Sequence, residues 1–429
     1  MTFCLLLVRI ILSNDRKTNN LGGRIVMKGM KYLLIALVVV LCTTFNLPAL
    51  GEEAGTQKYK LAVSIPSETM LWGNGLPAPE DVWLDMIYRA RDHIYLGHFY
   101  VTEKPGSRLT KVLKALDYVG RQGVPISLLI DKIMLARVDD EGGLEFLKQI
   151  PNLKWLVIDY DTIASGVHHT KYMVVDKREA YVGSQNFDWR SLEHNHELGV
   201  WTNDLNMVDD LEAIFLQDWQ TQQRLDKGGS VQIFNDKPQK NCRAESHLAS
   251  SPFQQNPLGV ANSENELVCL IDSAEYDISI QVMQYGSHFR DDTPYCTIDQ
   301  AIRRAAERGV LVRLMVADWS TREPSNYGLY DLSTLPNVWV MVVTIPQAST
   351  GFVPFSRVIH SKYMVVDGKT LWVETGNWTG NYFVKCRNVA LWLEESKLTE
   401  QAQELFNDLW YSAYAEPVQP MCYPPVKRN

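Results

Sequence analysis

Two stretches of this chain carry the same chemically loaded pattern. His169, Lys171 and Asp176 stand in HTKYMVVD, and His360, Lys362 and Asp367 stand in HSKYMVVD. Asn186 and Asn377 follow their histidines at the same offset. One such motif is a weak signal, but two copies that keep the asparagine spacing are specific. Two histidines, two lysines and two asparagines gathered at one place suit attack on a phosphodiester. The substrate is anionic, so its non-bridging oxygens need positive charge and hydrogen-bond donors as the transition state forms. Lys171 and Lys362 supply the charge, Asn186 and Asn377 neutral donors, and Ser184 and Thr375 hydroxyl contacts to substrate. One neutral histidine attacks phosphorus and forms a phosphohistidine. The other, protonated, donates to the leaving oxygen and then activates water. Lysine charge makes a metal unnecessary, and no cofactor is called for.

Strand alternation puts each His and Lys on one face, and the run YMVV behind them reads as a strand in a buried sheet. Duplication extends well beyond the motifs. Residues 81–100 match 264–285 as helix then strand, and a basic amphipathic stretch ends at Gly123 and again at Gly309 before a strand. PNLKWLVID (151–159) answers PNVWVMVV (336–343), and later helices carry Phe215/Trp219 and Phe406/Trp410. The repeated order of strands and helices predicts two α/β units with mixed sheets.

The paired motifs resemble those of the phospholipase D superfamily. GSQNFDWRSL (183–192), ELGV (197–200), GNWTGNYF (376–383) and VSIPSE (63–68) are similar to the endolysosomal phospholipase-D-like 5′ exonucleases and their poxviral and bacterial relatives. The resemblance covers about residues 58–415. It implies two similar halves about a pseudo-twofold axis sharing one active site, metal-independent phosphohistidine chemistry, and single-stranded nucleic acid as substrate. The chain departs from the pattern at Asp367, where those exonucleases tend to carry Glu, and at Glu374, where Gly usually opens the second asparagine segment. By the same resemblance, Glu197 is the carboxylate that orients a catalytic histidine. Its place 28 residues after His169, with Asn388 at that offset from His360, assigns it to His169. That asymmetry makes His169 the expected nucleophile and His360 the acid.

Asp176 and Asp367 belong to the motif, yet alternation carries them away from the phosphate, so a structural role is the expectation. The ends of the first strand of each half should line the cleft, with Phe99, Tyr100, Gln284 and Tyr285 as substrate contacts and aromatic rings for an unpaired base. His168, His194 and His196 are expected at the surface or behind the site, and Trp189 and Trp378 in the core. The sequon at Asn377 coincides with a site residue and is discounted.

Residues 1–51 read as a leader, with a mis-started N-terminus ahead of a signal peptide: Met30-Lys31, an apolar run to Phe45, then Ala49-Leu50-Gly51. The run is short for a membrane span. The expectation is a secreted or periplasmic protein, with a protein anchored to the membrane by an uncleaved leader as the alternative. Residues 52–225 form the first half, 226–262 a polar linker, and 263–429 the second half. Without the leader, 36 Lys and Arg face 49 Asp and Glu, a net charge of −13 that disfavours non-specific duplex binding. Five cysteines remain, with Cys269 expected as a buried free thiol. A phospholipase D or transphosphatidylase acting on glycerophospholipids is the second enzymatic reading. A catalytically dead binding module is the third, and all six core residues being present speaks against it.

Overall fold

The computed structural model describes residues 57–140, 143–236, 242–420, 423 and 426–428. The expected leader lies outside them. From Lys58 onward the chain forms one compact unit. In the first half the strands are β1 (Tyr59–Ser64), β2 (Ile94–His98), β3 (Ile126–Asp131), β4 (Leu153–Ile158), β5 (Lys171–Val175), β6 (Glu179–Gly183) and β7 (Glu197–Thr202). They form a sheet in the order β1-β7-β6-β5-β2-β3-β4, parallel on one side of β2 and antiparallel on the other.

The second half repeats this order. Its strands are β8 (His247–Ser251), β9 (Ala261–Asn262), β10 (Asp277–Val282), β11 (Leu311–Ala317), β12 (Val338–Val343), β13 (Lys362–Val366), β14 (Thr370–Glu374), β15 (Asn388–Leu393) and β16 (Ala415–Pro417). The sheet runs β9-β8-β15-β14-β13-β10-β11-β12-β16, the first-half order with a short strand added at each edge. The molecule is therefore an α/β fold of two similar halves with mixed sheets.

One apolar cluster draws on both sheets. Tyr172, Val174 and Val182 of one meet Tyr363, Val365 and Val373 of the other, together with Phe215 and Phe406 from helices α3 (Leu205–Asp226) and α6 (Ser396–Trp410). The other face of the first sheet is covered by α1 (Pro79–Arg89) and α2 (Arg108–Arg121). Helices α4 (Ser263–Ser273) and α5 (Thr297–Glu307) cover the other face of the second sheet. Met173 and Met364 point into these outer clusters, so the motif strands are buried on both faces, as their uninterrupted apolar runs require.

The linker expectation needs correction. His247–Ser251 is a full strand paired antiparallel to Asn388–Leu393, the place β1 holds beside β7. The second half thus begins inside residues 226–262. The local composition is polar because Ser250, Ser251 and Asn256 are buried hydrogen-bonding groups. They serve Arg387, whose buried guanidinium binds Asp218 of the first half at 2.7 and 2.9 Å and also reaches Asn256 Oδ1 at 3.0 Å.

Cys269 is not a free thiol: it forms a disulfide with Cys242. The buried stripe of its helix is Glu266, Leu267, Leu270 and Ile271, which leaves Cys269 facing the segment that enters β8. Among the described residues Cys296 is free and exposed, and Cys386 free and buried. No helix among them is long and apolar enough to cross a membrane.

Candidate active site

The halves join through two equivalent backbone crossings. His169 N–H donates to Arg387 O and Arg387 N–H to Val167 O, while His360 N–H donates to His196 O and His196 N–H to Val358 O. Gly166 sits at the first crossing, where a Cβ would meet Lys385 O at 2.3 Å, so only glycine permits the approach. These crossings set both motif histidines just before their motif strands, each facing the other half.

Consequently each histidine is held by its opposite half. Nδ1 of His360 lies 2.8 Å from Glu197 Oε2, and Nδ1 of His169 lies 3.2 Å from Asn388 Oδ1. This corrects the assignment of Glu197 to His169. A sequence offset counts along one half, whereas the start of β7 abuts the segment that precedes the other half's motif strand. Ser184 and Thr375 are also corrected. Ser184 Oγ accepts from Leu198 N–H and Thr375 Oγ1 donates to Asn388 Oδ1, and both are fully buried. They position the histidine partners and do not face substrate.

The proton positions follow from the network. The Asn388 amide nitrogen donates to Tyr382 O at 2.8 Å, so its oxygen faces His169 and can only accept. His169 therefore carries its proton on Nδ1 and leaves Nε2 with a free lone pair. Burial, then the charges of Lys171 and Lys362, hold His169 well below the ordinary histidine pKa. Burial also lowers His360, but Glu197 opposes it. Burial works against ionisation of Glu197, yet His360 and then Lys362 outweigh it and keep the carboxyl below its usual range. The imidazole beside the carboxylate is the better proton holder of the two.

Lys171 and Lys362 each donate to the carbonyl of the histidine two residues before, His169 and His360. Lys171 is held well below its ordinary pKa by burial and by Lys362, and burial pushes Lys362 down to about 7, opposed by Glu197 and Glu374. Two buried ammonium groups that disfavour each other are relieved when an anion arrives between them. The side-chain oxygens of Asn186 and Asn377 are buried without a partner, and the Asn377 amide donates to Gln284 Oε1 at 3.4 Å. Burial of Asn377 also leaves no room for a glycan at its sequon.

Asp176 and Asp367 stand at the far end of the motif strands. Asp176 accepts the backbone N–H groups of Arg91, Asp92 and His93, and Asp367 those of Glu275, Tyr276 and Asp277. Each carboxylate ties the turn that launches the neighbouring strand, and neither reaches the phosphate position.

Of the expected cleft residues, Phe99 and Gln284 reach the site. Phe99 packs edge-on against His169, ring centres 4.9 Å apart, with Lys171 Nζ 5.5 Å from its ring. Tyr100 and Tyr285 do not: both are buried with hydroxyls donating to Asp188 and Asp299. Both lie just past the ends of β2 and β10, where the chain turns their rings inward one residue after Phe99 and Gln284. Tyr382, absent from the sequence expectations, also packs edge-on against His169, ring centres 5.0 Å apart. Its place soon after Asn377 was the available signal. His168, His194 and His196 are all buried, so none is a surface group; His196 Nδ1 meets Ser361 Oγ and Gln281 Nε2 at the crossing. Trp189 and Trp378 are core residues.

Glu374 also has a defined place. It accepts from the Trp378 indole, and burial pushes its carboxyl up to about 8. The corresponding first-half positions are Gly183 and Phe187, where there is neither acceptor nor donor.

Two histidines with free Nε2 atoms, flanked by paired ammonium groups and held across a twofold junction, define a phosphodiester-cleaving centre. A family model described as "Cardiolipin synthase, PLD-like domain" matches residues 83–219 and 267–410, one match in each half. The chain belongs to this phospholipase D-like family and is a phosphodiester hydrolase. It is 30% identical to phospholipase D Z of Dictyostelium discoideum over 84% of this chain and 90% of that protein. It is 29% identical to the 5′-3′ exonuclease PLD3 of Homo sapiens over 80% of this chain and 76% of that protein. Among solved structures, phosphatidylserine synthase of Haemophilus influenzae superposes with a TM-score of 0.55 at 12% identity, covering 79% of this chain and 85% of that one, a likeness of fold.

Proposed function

We propose that the protein cleaves single-stranded nucleic acid through a phosphohistidine on His169, with His360 as general acid and then base. The observation that carries the role assignment is the unequal pair of histidine partners. Asn388 is neutral and fixes the tautomer that frees Nε2 of His169 for attack. Glu197 is anionic and favours the protonated form of His360. In the first step Nε2 of His169 bonds to phosphorus, and the leaving oxygen takes the proton from Nε2 of His360. In the second, His360 accepts a proton from water, whose oxygen attacks phosphorus and releases His169. Lys171 and Lys362 neutralise the non-bridging oxygens, so no metal is needed for charge balance.

The substrate reading rests on the rings of Phe99 and Tyr382 beside His169, available to contact a base, and on the likeness to proteins named as 5′-3′ exonucleases. The likeness to proteins named as phospholipases D supports lipid as the second reading. The Cys242–Cys269 disulfide fits an exported protein, as the leader sequence does.

The test uses residues 52–429 in EDTA at mildly acidic pH, with 5′-hydroxyl single-stranded DNA and phosphatidylcholine vesicles in parallel and His169→Ala as control. Stepwise shortening from the 5′ end, lost in the variant, is expected. Choline release with the DNA intact would overturn the substrate, and recovery of activity only on adding a divalent ion would overturn the metal-free chemistry.

A further inference from the structure

Beyond Gln284 and Tyr382 the site opens into a cavity of about 390 Å³. Gln284 receives the Asn377 amide and Tyr382 packs on His169, so the cavity begins beside the motif residues. Three arginines from distant parts of the sequence line it: Arg290, Arg322 and Arg428. Arg290 follows β10, and its backbone N–H is held by Asn381 Oδ1 at 2.6 Å. Arg322 follows the turn after β11. Arg428 donates to Trp319 O and lies over the Trp319 indole, 4.8 Å from its centre.

The electrostatics of this wall are unusual for a protein of formal net charge −8. The side chains of Arg290 and Arg322 are exposed, and neither is in an ion pair among the described residues. Burial, and then the charge of Arg322, push Arg428 down to about 10, opposed by Asp318. Asp292 and Glu323 also line the cavity and leave the arginines in excess. Guanidinium groups in excess over carboxylates suit a phosphate, which accepts forked hydrogen bonds from arginine. Trp319 and Phe289 in the same wall offer apolar surface beside that charge.

We propose that this cavity is a second phosphate subsite, in which Arg290 and Arg322 bind the phosphate adjacent, along a nucleic acid strand, to the one being cleaved. The strand identity rests on the nucleic-acid reading above; the anion site itself stands on the arginine geometry. A strand presents one phosphate per nucleotide, so the subsite selects substrates with charge on both sides of a nucleoside. A phosphatidylcholine headgroup has no second phosphate to offer it.

Calorimetric titration of the full protein in EDTA with thymidine 3′,5′-bisphosphate and with thymidine 3′-monophosphate tests the subsite without turnover. The bisphosphate is expected to bind about tenfold or more tightly, the gain of one charge-assisted phosphate contact. Arg290→Ala/Arg322→Ala should bring the two affinities within about twofold of each other, with an unchanged melting midpoint because both side chains are exposed. Equal affinities in the wild type, or a preference that survives the double substitution, would overturn the subsite. Cleavage of the trinucleotide TpTpT, which carries two phosphates, followed in parallel, reports on the substrate reading. Uncut TpTpT with an arginine-dependent bisphosphate preference would reject nuclease activity and keep the anion site.

Discussion

The carboxylate of Glu197 lies 2.8 Å from Nδ1 of His360, across the junction between the two halves. The bond makes the site chemically asymmetric although the fold around it is nearly symmetric, because the equivalent partner of His169 is the amide of Asn388.

Replacing Glu197 by Gln removes the charge that opposes the lowering of His360. His360 then loses its proton at a lower pH, so the alkaline limb of kcat/KM shifts downward. Activity at neutral pH should fall by about 10²–10⁴-fold, the range for an impaired acid catalyst. Asn388→Asp should act on the other limb. It raises His169 toward protonation and moves the acid limb upward, and a full pH profile of both variants separates the two effects. In the wild type, His169 held well below its usual range and Lys362 near 7 place maximal activity on the acid side of neutral. An optimum above pH 8 would contradict the assignment.

The order of the two histidines is open to direct trapping. With His360→Ala and a substrate whose leaving group departs without a proton, phosphate should accumulate on His169, as mass spectrometry of acid-labile phosphopeptides would show. Label appearing on His360 in the reciprocal His169→Ala variant alone would reverse the roles.

Asp176 and Asp367 each hold three backbone N–H groups at a turn far from the histidines. Asp367→Ala is expected to lower stability by about 1.5–3 kcal/mol, the range for hydrogen bonds made to a charged group. The kcat of the folded fraction should stay within about threefold of wild type. A loss of kcat without a change in melting temperature would return this residue to the catalytic set.

Glu374 and Trp378 are a buried acceptor and donor where the first half has Gly183 and Phe187. Trp378→Phe should cost stability by stranding the carboxyl. The double change Glu374→Gly/Trp378→Phe should cost less than the sum of the two single changes, with a coupling of about 0.5–3 kcal/mol by denaturant unfolding. Strict additivity would mean that the two side chains do not act as a pair.

Much of this was legible in the chain before folding was considered. Duplicated motifs with identical spacing identify the histidines, lysines and asparagines, and alternating apolar runs locate the buried strands that carry them. Those are local properties, set by side-chain periodicity and by the residue types that phosphate chemistry requires. Cross-half relations were not legible in the same way. The partner of each histidine, the burial of Ser184 and Thr375 behind those partners, the Cys242–Cys269 pairing and the strand at His247–Ser251 all depend on which segments meet after the twofold closes. Tyr100 and Tyr285 show the same limit at finer scale, since a single step along the segment after a strand turns a ring from cleft to core. Residue types and spacing determined the chemistry; only the packing of one half against the other decided which imidazole faces a carboxylate, and with it which one holds the proton.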